Sequence, residues 1–187
     1  MYIIITDEMK SIAAIESARR EPYIKHHFKA DVSHDTNQVG YLGEYACKQY
    51  FGLDWKKDVG KNYNKADNGD IFIDDIVIDV KTETVDYSTL HKIVMKHLTP
   101  TQPYGCRLIT AKQIPLLHKY DFVIFGAIPR ETLGGWYPLG FLDTTFILNH
   151  YKPSKTTPGG FELYSESLCI PQGDLRNPEE LKAIINA

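Results

Sequence analysis

Cysteine is scarce in this chain, and what there is does not pattern. Cys47, Cys106 and Cys169 are odd in number, far apart and without metal-ligand spacing, so they read as reduced thiols in a cytosolic setting. No apolar run approaches the roughly 18 residues of a membrane span, and the opening Met1-Tyr2-Ile3-Ile4-Ile5-Thr6-Asp7-Glu8 lacks the charged n-region of a signal peptide. The expectation is a soluble, cytoplasmic protein with no membrane partner. Repeats and low-complexity tracts are absent. A strong excess of one charge is absent too: 21 Lys and Arg stand against 24 Asp and Glu, for a formal charge of −3. That balance neither requires nor excludes nucleic acid, because clustering of the basic residues is what matters. What is present is enough apolar material, 43% of 187 residues, for one substantial core.

The most informative stretch runs from Asp67 to Glu83. It predicts two β-branched strands, Asp70 to Ile73 and Ile76 to Thr82, joined by the tight turn Asp74-Asp75. A two-residue loop sets Ile73 opposite Ile76, Phe72 opposite Val77, Ile71 opposite Ile78 and Asp70 opposite Asp79. Carboxylates opposed in this way have Cβ atoms about 5 Å apart and repel, so a compensating charge is required. Strand alternation puts Lys81, then Glu83, on the face of Asp79, while the Ile and Val residues of the other face await a core. A divalent cation with oxygen ligands satisfies the two acids, and Mg²⁺ characteristically takes one or two carboxylates plus substrate phosphates. The structural alternative is an ion pair of Lys81 with Asp79 or Asp70. Asp67, Asp74 and Asp75 read as turn residues bonding to nearby backbone.

Asp70, a short hairpin and Asp79-Val80-Lys81 together resemble the PD-(D/E)XK nuclease superfamily, with Gly69-Asp70 standing where the family name has Pro-Asp. The resemblance spans about Gly40 to Ile128. It implies an α/β fold, a mixed central sheet flanked by helices in a restriction-endonuclease-like core. It also implies a glutamate from the helix before the hairpin, and Gly43-Glu44 is similar to that pattern. Under this reading Asp70, Asp79, the Val80 carbonyl and Glu44 hold Mg²⁺, with Mn²⁺ able to substitute, and Lys81 acts beside them. The activity implied is hydrolysis of DNA phosphodiesters to 5′-phosphate and 3′-hydroxyl ends, more as an endonuclease than an exonuclease. The alternative is a non-catalytic nucleic-acid-binding or assembly protein on the same scaffold. For Glu44 the structural alternative is a first-turn acid that favours the helix dipole.

One domain is expected, with a core of about 39–130, an N-terminal helical arm over 1–38 and β-rich C-terminal additions over 131–187. Within the arm, Tyr2–Ile5 suggests a strand and Asp7–Arg20 a helix that Pro22 ends or interrupts. The stretch from Lys25 to Asp35 reads as a polar connector whose His26 and His27 suit a solvated loop or a phosphate better than zinc. Val39–Phe51 has helical spacing with Gly52 as its stop. Lys56, Lys57, Lys61 and Lys65 interleave with Trp55 and Tyr63, and Lys92 and Lys96 give a helix capped by Ser88 a basic side. These six lysines are the candidate DNA contacts, in a single-chain cleft or in a groove built by a homodimer.

Further on, Cys106–Ile109 suggests a short strand, Ile114–Tyr120 a short helix and Asp121–Ile128 a central strand covered on both faces. Trp136–Phe141 and Thr145–Leu148 read as strands, Lys152–Gly160 as a loop or hairpin tip and Phe161–Ile170 as an edge strand. Asn177-Pro178-Glu179-Glu180 marks the start of a terminal helix.

Overall fold

The computed structural model describes residues 1–28, 34–60 and 69–186, apart from the side chains of 21–28, 34–36 and 58. The chain is mixed α/β. Strand β1 (Ile3–Ile4) leads into two helices, α1 (Asp7–Phe28) and α2 (His34–Tyr50), then the hairpin β2 (Ile71–Ile73) and β3 (Ile76–Val85). Helix α3 (Tyr87–Val94), strand β4 (Cys106–Thr110) and a 3-10 helix (Ala111–Lys119) make the crossover to β5 (Phe122–Pro129). Strand β6 (Gly135–Asp143), helix α4 (Thr144–His150), strands β7 (Ser154–Thr156) and β8 (Glu162–Pro171) and helix α5 (Pro178–Ile185) complete the chain.

Two sheets form among the described residues. The larger has the order β1-β6-β5-β3-β2, with β3 and β5 parallel and every other neighbour antiparallel. The smaller has the order β4-β8-β7. Strand alternation divides the core in two. Ile78 and Val80 of β3 and Ile124 and Ile128 of β5 pack with Leu42, Tyr45 and Ala46 of α2 on one face. Val85 of β3 and Val123, Phe125 and Ala127 of β5 pack with Leu90 and Ile93 of α3 and with Leu168 and Ile170 of β8 on the other. β5 is therefore covered on both faces, as its continuous apolar run predicts.

Helix α2 approaches β3 closely because Gly43 carries no side chain: a Cβ there would run into the Thr82 side chain. Beneath it, the Trp136 indole donates to Thr82 Oγ1 at 3.2 Å. The hairpin pairs Ile73↔Ile76, Phe72↔Val77 and Ile71↔Ile78, in the expected register. Asp74 occupies the left-handed region at φ 50°, which Asp tolerates in a two-residue turn.

Several expectations are corrected. α1 continues through Pro22 to Phe28 instead of stopping, so part of the proposed polar connector is helical. α3 is capped by Asp86, not Ser88, with the Asp86 side chain accepting from Thr89 N. The run Thr145–Leu148 is helical, because Asp143 accepts from Phe146 N at 3.0 Å and starts α4. Of the two expectations for Lys152–Gly160 the hairpin tip is the one found, Ser154–Thr156 pairing antiparallel with β8, and β8 is thereby the centre of its sheet rather than an edge.

The cysteine expectation also fails. Cys106 and Cys169 form a disulfide between β4 and β8, with Cα atoms 5.4 Å apart, and only Cys47 among the three is a free thiol, buried against the sheet. The argument for a cytosolic setting that rested on reduced thiols loses its support. No helix among the described residues is long and apolar enough to cross a membrane.

Candidate functional site

The hairpin ends in a local irregularity that decides where its acids go. Ile78 is the ladder partner of Ile71, yet its carbonyl also accepts from the Asp70 amide at 3.1 Å. Two residues of one strand thus meet one of the other, which is the arrangement of a β-bulge. Gly69, at φ +138° and against the Val77 side chain, has no room for a Cβ. Asp70 leaves the ladder here, and its Oδ2 accepts the Val80 amide at 2.7 Å. The carboxylate takes over the role of the next ladder carbonyl. Asp70 and Asp79 are accordingly not a cross-strand pair, and the repulsion expected of facing carboxylates is avoided.

Asp79 projects from β3 on the side of Val77 and Val85, and only 4% of it is exposed. A buried carboxylate needs a partner. Lys81, two residues along and on the same face, provides it: Nζ lies 2.9 Å from Oδ1 and 2.8 Å from Oδ2. Glu83, next on that face, pairs with Arg107 of β4, which is 2% exposed. Arg107 Nη2 also donates to the Tyr104 carbonyl. The face therefore carries a file of alternating charge, Asp79, Lys81, Glu83 and Arg107. Burial pulls the Arg107 guanidinium down to a pKa of about 10, so it remains a cation at neutral pH.

Glu44 comes from α2, on the opposite face of the sheet. The buried Cys47 thiol, one helical turn further on, reports its surroundings: burial pushes its pKa well up, the charges of Asp70 and then Glu44 push it the same way, and Lys48 opposes them. Asp70 and Glu44 thus share the neighbourhood of Cys47 on the helix side, while Asp79 and Lys81 lie on the far side. Asp70, at the strand edge beside Val80, stands between the two groups.

Among the described residues, no three His, Cys, Asp or Glu side chains converge closely enough to hold a metal ion. The Asp70 and Asp79 carboxylates and the Val80 carbonyl are nevertheless all hard oxygen donors, clustered in sequence at one end of the hairpin. Such donors fit Mg²⁺ or Mn²⁺ in kind, since Mg²⁺ uses one or two carboxylates and keeps several waters.

The candidate DNA-contacting lysines are dispersed. Lys56 pairs with Glu8 of α1 and lies over the Trp55 ring, 5.4 Å from its centroid. Lys57 and Lys92 are exposed, and Lys96 Nζ donates to the Leu175 carbonyl at 3.1 Å. Lys61 and Lys65 lie outside the described residues, and so do the side chains of His26 and His27. Sequence reasoning missed Arg107. Its one local signal is a charged residue in the otherwise apolar run Cys106-Arg107-Leu108-Ile109, and its proximity to Lys81 depends on a crossover that no local pattern specifies.

Comparison with protein-family models, with curated proteins and with solved structures finds no match to this chain.

Proposed function

We propose that this chain is a Mg²⁺-dependent deoxyribonuclease of the PD-(D/E)XK kind, acting as an endonuclease and leaving 5′-phosphate and 3′-hydroxyl ends. The observation that carries the reading is the pairing of Asp70 with the Val80 amide while Asp79 is held by Lys81. Acid, backbone, acid and lysine are fixed at one end of a rigid hairpin. The order of elements supports it: a helix with Glu44, the hairpin, a crossover, then a strand parallel to β3, which resembles a restriction-endonuclease-like core.

Asp70, Asp79 and the Val80 carbonyl would hold the ion, with Glu44 binding it directly, through water, or at a second ion. A bound Mg²⁺ supplies Lewis acidity toward the phosphate and lowers the pKa of a bound water. The protein's own part is positional. The Asp70–Val80 hydrogen bond fixes one carboxylate relative to the strand, and the neighbouring apolar residues of both cores keep that strand rigid. Lys81 holds the Asp79 carboxylate in one orientation before substrate arrives. With substrate present, its ammonium is a placed cation beside the phosphate, where it orients the attacking water or offsets the extra negative charge of the transition state.

The test is incubation with plasmid, linear and branched DNA in Mg²⁺ or Mn²⁺, comparing the natural chain with Asp79→Ala and Lys81→Ala. Cleavage that disappears in both variants while their folds persist supports the proposal; equal cutting by all three identifies a contaminant and defeats it. A second reading draws on the closed Asp79–Lys81 pair itself: a structural ion pair in a nucleic-acid-binding or assembly protein. There, DNA binding survives removal of the acids, and Asp79→Asn lowers stability alone.

A further inference from the structure

Next to Lys81, a pocket of about 330 Å³ opens between β3, β4 and β5, lined among others by Lys81, Glu83, Arg107, Gln113 and Phe125. It is separate from the pairing of Asp70 with Val80, and its most unusual occupant is Arg107. This guanidinium is almost wholly buried, a setting in which each N–H ordinarily finds an acceptor. Nη1 is ion-paired with Glu83 and Nη2 donates to the Tyr104 carbonyl, and among the described residues Nε has no hydrogen-bond partner. A guanidinium with a donor to spare suits an anionic oxygen, to which Nε–H can give a charge-assisted hydrogen bond. Lys81 adds a second cation on the same wall and Gln113 an amide, whereas Glu83 competes for the arginine. The Cys106–Cys169 disulfide immediately precedes Arg107 and ties β4 to β8, so the guanidinium is presented from a braced strand.

We propose that this pocket binds a phosphate group, with Arg107 as its principal donor, Lys81 and Gln113 as auxiliary donors, and Glu83 as an internal competitor that occupies the arginine when the pocket is empty. The inference rests on the nuclease reading only in taking a phosphate of the nucleic-acid strand as the natural occupant; binding itself is measurable without cleavage.

Titration is carried out in EDTA, by calorimetry or nuclear magnetic resonance, with two probes: inorganic phosphate and a 5′-phosphorylated tetrathymidylate. The expected result is saturable binding of both, weakened about tenfold by Arg107→Gln and several-fold by Gln113→Ala, and tightened several-fold by Glu83→Gln. Tightening is a signature that a purely structural Glu83–Arg107 pair does not produce. If Arg107→Gln fails to fold, Gln113→Ala and Glu83→Gln carry the test. Absence of saturable binding, or affinities unchanged by Gln113→Ala and Glu83→Gln, overturns the proposal. Binding with this pattern of variant effects but no Asp79-dependent cleavage keeps the phosphate pocket and removes the nuclease reading. Asp79-dependent cleavage with unaltered phosphate binding does the reverse. Uptake of inorganic phosphate with exclusion of the oligonucleotide supports the pocket and overturns the strand as its occupant.

Discussion

Asp70 Oδ2 and the Val80 amide are 2.7 Å apart, so an acidic side chain finishes a ladder that the strand backbone leaves short. Its contribution to stability and its contribution to chemistry are separable. Asp70→Ala should cost about 1.5–3 kcal/mol, the range for a hydrogen bond to a charged group, whereas Asp70→Asn, which keeps an acceptor, should cost less. Chemical denaturation measures both. Under the nuclease proposal the two variants are equally inactive despite their unequal stability.

Removing the cation from the Asp79–Lys81 pair leaves a buried carboxylate uncompensated. Lys81→Met is expected to destabilise by on the order of 3 kcal/mol, as for one partner of a buried pair. The double variant with Asp79→Asn should recover part of the loss. A strictly additive double-mutant cycle would show that the two side chains do not interact energetically.

The close approach of α2 to β3 makes two glycines on one helix respond oppositely. At Gly43 a Cβ collides with Thr82, while at Gly40 nothing among the described residues lies within 4 Å. Gly43→Ala should destabilise by about 1–3 kcal/mol through overpacking; Gly40→Ala should gain up to about 1 kcal/mol through helix propensity. Thermal melts of the two variants side by side provide the measurement.

Asp86 predicts an acid-side pH dependence. Hydrogen bonds from the Ser88 hydroxyl, then from the Thr89 amide and hydroxyl, hold its carboxyl well below the ordinary value of 3.8. Because the folded-state pKa is depressed, the stabilisation is fully present above pH 3.8 and is lost as pH falls toward the folded value. The difference in melting temperature between the natural chain and Asp86→Ala should therefore be constant near neutrality and shrink below about pH 4.

Peptide mapping without reductant should recover Cys106 linked to Cys169, with Cys47 alkylated only after unfolding because its thiol is buried. Reduction breaks a cross-link spanning 63 residues and should lower stability by about 2–4 kcal/mol.

What the sequence made legible was local. The β2–β3 register followed from two β-branched runs flanking a two-residue acidic turn, and α5 from Asn177-Pro178 at its start. The failures were contests that local pattern could not judge. Thr145–Leu148 has strand-forming residues, but the Asp143 cap fixes a helix there. Asp70 was expected in the ladder and is drawn out of it where Gly69 admits a conformation closed to other residues. β8 gains a partner on each side only because it returns from far along the chain to β4, which also brings Cys169 beside Cys106, while the crossover after β3 brings Arg107 near Lys81. The helix-side position of Glu44, across the sheet from Asp79, was equally invisible to spacing.

The parallel pairing of β3 with β5 also sets an order of assembly. The hairpin can close from neighbouring residues as soon as it leaves the ribosome, but its second neighbour arrives only after the whole crossover has been synthesised. Until then the long edge of β3 offers unpaired backbone to any passing strand. A nascent chain stalled at Tyr120 is consequently expected to leave that edge of β3 without its partner.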